Sequence, residues 1–288
     1  MLSRIDRLQL AVPDAKPVAA RWATLLGAQE HGRDRLAILG ARRTSLRLGD
    51  GWIELLEPDG AGAVDAALKR RGPHLFAAGA ATRDLPALKA RLATRDVHPP
   101  EEAGQLHLSD RDTGVPGFRV VLSADAPQTA VGDIDFLYEA TLLAGESAPQ
   151  CARLTELFGL PAGNYSTIVS ETFGYDGTLT LFHPERLHRF EVIRPTRADT
   201  TMARFLARTG PSLYMCFAET DRMLAIESRV REAGLGLTVD RPAGRSAAAQ
   251  ADQLWLHPAT LGGMMLGLSR PSMAWRWSGK PERVVGID

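Results

Sequence analysis

The stretch GDGWIELLEP, residues 49–58, sets a carboxylate inside an apolar run. A Gly-Asp-Gly turn leads into Trp52, Ile53, Leu55 and Leu56, which predicts the second strand of a hairpin. Side chains alternate along a strand, so if Ile53 and Leu55 face a helix, Glu54 and Leu56 face the opposite side. Much later HRFEVIRP, residues 188–195, places Glu191 in the same setting. An acid buried without a partner is costly, so its appearance in two strands calls for a reason.

Comparing the two neighbourhoods uncovers an internal repeat. IDRLQLAV (5–12) matches IDFLYEAT (134–141), and ARWATLLGA (20–28) matches ARLTELFGL (152–160). The Glu54 strand then matches the Glu191 strand, RRGPHLF (70–76) matches ARTGPSLY (207–214), and GFRVVLS (117–123) matches GMMLGLS (263–269). The spacing between partners grows along the chain, from 129 to 132, 137, 138 and 146 residues, as expected when loops lengthen between kept elements. Each half reads as a strand, a helix and a hairpin, followed by the same scheme again. The first helix opens at Pro13-Asp14, closes at Gly27 and carries Val18, Trp22 and Leu25 on one face. The predicted organisation is an N-terminal half over 1–124, a linker over 125–133, a C-terminal half over 134–270 and a tail over 271–288.

The bulk composition narrows the function classes. Lys plus Arg and Asp plus Glu both number 34, with no basic run interleaved with aromatics, so no nucleic-acid partner is expected. No window approaches 18 consecutive apolar residues, and charge interrupts the first seven positions, so neither a membrane span nor an export signal is expected. Cys151 and Cys216 are the only cysteines, which points to a reducing cytoplasm and packing roles. The seven histidines form neither a HExxH motif nor a cluster in sequence.

The start IDRLQLAVPD, the segment GDGWIELLEP and the segment HPATLGGMMLGLS resemble the vicinal oxygen chelate superfamily, over about residues 3–270. That superfamily includes glyoxalase I, methylmalonyl-CoA epimerase, bleomycin-resistance proteins and type I extradiol dioxygenases. The resemblance implies an α+β fold of four βαβββ modules, paired into two curled-sheet cups, with a divalent metal usually held in a cup. It places Glu54 and Glu191 at a metal-ligating glutamate position. The other ligand positions do not match: they fall on Arg7, on Phe76 or Ala77 and on Val121 in half one, and on Phe136, on Tyr214 or Met215 and on Gly267 in half two. Each half thus keeps one ligand of four. The dioxygenase branch takes iron from the positions of Phe136, Tyr214 or Met215, and Gly267, so Fe(II) extradiol cleavage is not expected. One carboxylate holds a divalent ion too weakly for a stable site, and the expectation is a cup without a cofactor.

In half one, Arg7, Gln9 and Arg119 share the inward parity with Glu54. Two readings stay open there: a polar network satisfied by itself, or an arginine left to hold an anionic ligand group. In half two the corresponding positions offer Phe136, Tyr138, Ile193, Tyr214, Met215 and Phe217 around Glu191. An apolar, aromatic cup with one acid suits a small-molecule ligand, and the expectation is acid/base chemistry of isomerase, epimerase or lyase type by Glu191, with Tyr138 and Tyr214 orienting the ligand. The alternatives are a non-catalytic sequestering protein of the bleomycin-resistance type, or a metal-dependent dioxygenase or lyase with unusual ligands. The chain reads as a monomer or homodimer. His183 and His188 read as parts of a solvated hairpin loop and His74 as a rim residue. Trp275 and Trp277 read as packed on the outside of a sheet, with a lid over the second cup as the alternative.

Overall fold

The computed structural model describes residues 2–126, 128–246 and 248–286. Residue 127 of the expected linker and residues 287–288 of the expected tail lie outside the described residues. The first half runs β1 (Leu2–Ala11), α1 (Ala15–Leu26), β2 (Gln29–Leu36), β3 (Ala41–Leu48), β4 (Gly51–Pro58), α2 (Ala63–Arg71), β5 (His74–Thr82), α3 (Leu85–Ala93), β6 (Glu101–Glu102), β7 (Gln105–Leu108), α4 (Asp110–Thr113) and β8 (Val120–Ala124). The second half repeats the plan with β9 (Phe136–Leu143), α5 (Ala148–Phe158), β10 (Ser166–Ser170), β11 (Tyr175–His183), β12 (Arg186–Pro195), α6 (Thr201–Thr209), β13 (Ser212–Glu219), α7 (Met223–Glu232), β14 (Leu237–Asp240), β15 (Gln253–Leu256) and β16 (Met265–Ser269). Each half is one eight-stranded sheet, in the orders β2-β3-β4-β1-β5-β8-β7-β6 and β10-β11-β12-β9-β13-β16-β15-β14. Four βαβββ modules are thereby joined in pairs, β1 against β5 and β9 against β13.

Local chemistry accounts for the elements. The Asp14 carboxylate caps α1 by accepting from the Lys16 amide at 2.9 Å, and Gly27 ends the helix in the left-handed region. Trp22, Leu25 and Leu26 of α1 join the same core as Ile53 and Leu55 of β4, which leaves Glu54 and Leu56 on the cup side. Two further helices, which the sequence reading did not separate as elements, bridge the modules. Val64 and Ala67 of α2 pack with Leu56 and Phe76 in half one, and Met202 of α6 packs with Leu143 and Ile193 in half two. No helix among the described residues is long and apolar enough to cross a membrane.

The pairing corrects one register. Gln9 lies opposite Glu54 in β4, and Thr141 lies opposite Glu191 in β12, so the two first strands correspond at a spacing of 132 residues rather than the 129 read from IDRL and IDFL. Arg7 therefore corresponds to Glu139, not Phe136. The identical letters of IDRL and IDFL misalign the strands; each first strand in fact carries a β-bulge at the equivalent place, Asp6 and Tyr138, seen as a register shift between Ile5 and Arg7 against β5 and between Phe217 and Ala218 against β9. The extra residue breaks the period of two, so Tyr138 and Glu139 both leave the core face.

The halves share one apolar core that includes Phe118 stacked edge-on against Phe190 at 5.0 Å. The turn before each last strand meets the Gly-Pro turn of the other half. Gly117, at φ 73°, has no room for a Cβ beside the Pro211 carbonyl, and Gly263, at φ 103°, is crowded in the same way by Pro73. His188 lies at this junction too, where the sequence reading had a solvated turn. Its Nδ1 accepts from the Ile5 amide at 3.3 Å, and burial, reinforced by the Arg4 charge, pushes its pKa down to about 3. A base depressed in the fold stays neutral there while the unfolded chain takes up a proton. The stability it contributes is present above the ordinary value of 6.5 and is lost as pH falls from there towards 3. Melting temperatures measured between pH 7.5 and 4.5 are expected to drop on acidification by an amount equivalent to a few kcal/mol. His188→Gln, which keeps an acceptor for Ile5 but cannot titrate, is expected to flatten that slope.

Candidate functional site

The cup of half one is closed by hydrogen bonds centred on Glu54. Its Oε1 accepts from Arg7 Nη1 at 2.9 Å, Arg43 Nη1 at 3.1 Å and Gln105 Nε2 at 2.8 Å, and its Oε2 accepts from Gln9 Nε2 at 2.8 Å. Arg7 also donates to Asp6 at 2.7 Å and to Ser123 at 3.0 Å, and Arg43 donates to Asp34. Burial by itself would raise the Glu54 pKa. The charges of Arg7 and Arg43, with the bonds from Gln9 and Gln105, outweigh burial and hold it below the usual carboxylate range. Arg119, expected in this group, instead lies over the Phe76 ring at 4.9 Å, with Asp110 as its nearest acid at 3.9 Å. Arg43 and Gln105, which the sequence reading missed, complete the network from β3 and β7, strands whose order in the sheet is set by tertiary pairing.

Half two has a cavity of about 2010 Å³ where half one has that network. Glu139 and Glu191 line it from neighbouring strands, together with Ile193, Tyr214, Met215, Phe217, Trp255 and Met265. Phe205 of α6 and Met273 and Trp277 of the tail complete its apolar wall. The two carboxyls lie within hydrogen-bonding reach of each other. The Thr141 hydroxyl lies 2.7 Å from Glu191 Oε2 and 3.1 Å from Glu139 Oε1, and Arg189 Nε donates to Glu139 Oε2 at 2.7 Å. Arg189 is fully buried, its Nη1 donates to the Leu187 carbonyl, and its Nη2 has no partner among the described residues.

One guanidinium faces two acids, so a single negative charge is balanced. Burial, followed by the adjacent Glu139, pushes the Glu191 pKa well above the usual carboxylate range, against the weaker opposing effects of Thr141 and Arg189. A hydroxyl has only one proton and cannot donate to both acids at once. A neutral carboxyl on Glu191 resolves this, because the pair then shares one proton. Arg189 pairs with Glu139 rather than with Glu191, and Arg194 pairs outside with Asp176.

The other expected residues divide. Ile193, Tyr214, Met215 and Phe217 meet Glu191 around the cavity. Tyr138 does not line it: its ring lies under Arg189 at 4.8 Å and its hydroxyl meets Ser269 at 3.0 Å. Phe136 belongs to a separate cleft between the halves, beside His188. Trp277 lines the cup with Met273, beside Phe217, so this part of the tail covers the second cup rather than the outside of the sheet, while Trp275 lines the cleft that holds Phe136. Glu139 was missed because the bulge hides it from an alternation count. The signal was the 132-residue spacing of the helices that follow, which applied to the first strands puts Glu139 at the position of Arg7.

The residues present do not make a conventional ion site. Among the described residues no three of His, Cys, Asp and Glu gather as a metal would need. The two acids that meet are already bonded to Thr141 and Arg189, whose guanidinium supplies the local positive charge.

Neither a protein-family model nor a curated protein matches the chain. Solved structures do. A variant of 4-hydroxymandelate synthase from Streptomyces coelicolor superposes with a TM-score of 0.71 at 15% identity, covering 98% of this chain and 99% of that one. A xylose isomerase-like TIM barrel/4-hydroxyphenylpyruvate dioxygenase fusion protein gives 0.63 at 17% identity, over 94% of this chain and 49% of that one. Methylmalonyl-CoA epimerase from Mycobacterium tuberculosis covers 48% of this chain at a TM-score of 0.39. These findings correct the expectation of a cup without a cofactor, because the likenesses that span both halves include a dioxygenase, the branch to which the resemblance attaches iron. At such identities the likeness is one of fold: the chain has the fold of the vicinal oxygen chelate superfamily, in its form of four modules and two halves.

Proposed function

We propose that the second cup is an active site for a small apolar or aromatic carbonyl compound, and that Glu139 and Glu191 move a proton next to that carbonyl. The observation that carries this reading is the pair itself: two buried acids, one guanidinium and one shared hydroxyl in a cavity wall that also holds Ile193, Tyr214, Met215 and Phe217. Acids held apart in protonation state supply both halves of such a reaction. The neutral carboxyl of the pair donates its proton to the carbonyl oxygen while the carboxylate takes one from the adjacent carbon. The pair holds one proton before and after, and returning the proton to carbon gives isomerisation or epimerisation, or loss of a neighbouring group gives elimination. Arg189 and Thr141 position the pair, and Tyr214 and the aromatic wall exclude water and orient the ligand.

A panel of aryl and alkyl carbonyl compounds incubated in D₂O with the protein tests this by NMR. Wild type is expected to exchange the hydrogen next to the carbonyl in at least one compound, and Glu191→Gln and Glu139→Gln are each expected to slow exchange by about 10²–10⁴-fold. Exchange that survives both substitutions removes the pair from the chemistry, and binding without exchange in wild type makes this a binding protein.

The same pair predicts an alkaline limit. An acid whose folded pKa is raised contributes stability below its ordinary value and loses it as pH rises through the folded value. Thermal melts from pH 6 to 9 are therefore expected to favour Glu191→Gln over wild type increasingly as pH rises; parallel slopes would show that Glu191 is not held neutral.

Glu54 predicts the opposite signature. Glu54→Leu leaves Arg7 and Arg43 charged and buried around an apolar side chain, and urea unfolding is expected to show a loss of about 3–5 kcal/mol.

A further inference from the structure

Resting on the reading of the second cup as a ligand site, we infer that its ligand carries an anionic group, a carboxylate or a phosphate ester, which docks on Arg70, Arg71 and His74 at the mouth, with Arg119 behind them. These residues come from the other half. Arg70 and Arg71 end α2, and His74 starts β5 after the Gly72-Pro73 turn; all three line the same cavity as Glu139 and Glu191. The ordinary account is that basic residues suit the last turn of a helix, where its dipole is negative. That accounts for Arg70 on an exposed face. It does not account for what stands behind it.

Arg71 donates from Nη2 to the Thr209 and Pro211 carbonyls of half two, at 3.0 and 3.2 Å, and its buried Nε has no partner among the described residues. His74 is tied by Nδ1 to the Gly72 carbonyl at 2.7 Å. Arg119, half-buried over Phe76, has its nearest acid at 3.9 Å, and this is the only carboxylate contact of the group among the described residues. Burial first, and then repulsion among these cations, hold Arg71, Arg119 and His74 below their usual values. A cluster of like charges at a cavity mouth, short of counter-ions, is complementary to an oxyanion. The deep end of the cavity holds the acid pair, so the ligand lies with its carbonyl inward and its anionic end at the mouth.

Two fluorescent probes that share an aromatic body separate the possibilities: 8-anilinonaphthalene-1-sulfonate, which is anionic, and N-phenyl-1-naphthylamine, which is neutral. Wild type is expected to bind the anionic probe at least about tenfold more tightly. Arg70→Gln combined with His74→Gln is expected to abolish that preference and leave the neutral probe unchanged. Arg70→Gln alone, at an exposed position, is expected to lower the preference in part and guards against a folding defect in the double variant, which melting curves report. Displacement by phosphate or by acetate at constant ionic strength tells which oxyanion is preferred. If both probes bind equally well to wild type, or the double variant keeps the preference, the anion site is wrong and the cavity reading stands. If neither probe binds, the cavity reading fails and this inference with it.

Discussion

The cost of placing a carboxylate inside a closed, water-poor sheet governs this molecule. A buried acid must be neutralised by nearby cations and donors or must keep its proton. The two halves start from the same strand and the same inward glutamate, and they meet this constraint differently. Around Glu54, two arginines and two amides occupy both carboxylate oxygens, and all five side chains are buried. Around Glu191, the position equivalent to Arg7 carries a second acid, Glu139, with Arg189 as the one cation paired to it among the described residues. The first arrangement serves stability, since removing any one member strands the others. The second leaves a proton shared at a cavity wall.

This asymmetry between equivalent modules sets the second cup apart from the first. In half two the positions of Arg7, Gln9, Arg43 and Gln105 carry Glu139, Thr141, Gly177 and Gln253, so both arginines are lost, and the tail with Met273 and Trp277 covers the space that opens. The halves are not independent in this. α2 and the Gly72-Pro73 turn of half one reach the rim of the cavity in half two, and the glycines before each last strand, Gly117 and Gly263, allow the reciprocal approach. A duplicated fold with one cup filled by polar bonds can devote that half to supporting the other.

Much of the fold was legible from residues alone. The recurrence of Gly-Pro, of the Glu strands and of the Gly-led last strands disclosed two halves, and the helix faces and caps followed from Asp14, Gly27 and the spacing of apolar residues. The side on which Glu54 lies also followed, because Ile53 and Leu55 alternate with it in a regular strand. The site was legible only in part. Glu191 was found with Ile193, Tyr214, Met215 and Phe217, whereas Glu139, Arg43 and Gln105 were missed. Tyr138, one residue from Glu139, was placed against the ligand, yet its hydroxyl meets Ser269.

What the sequence by itself determined is the modular plan, since periodicity and turn residues act through neighbours in the chain. What only the tertiary structure decided is the register of each first strand, the partner of each buried acid and the covering role of the tail. A bulge of one residue turns the following side chains to the other face without any mark in an alternation count. The identity of a counter-charge depends on which strands lie side by side, and that order, β3-β4-β1 in one sheet and β12-β9-β13 in the other, joins residues far apart in the chain.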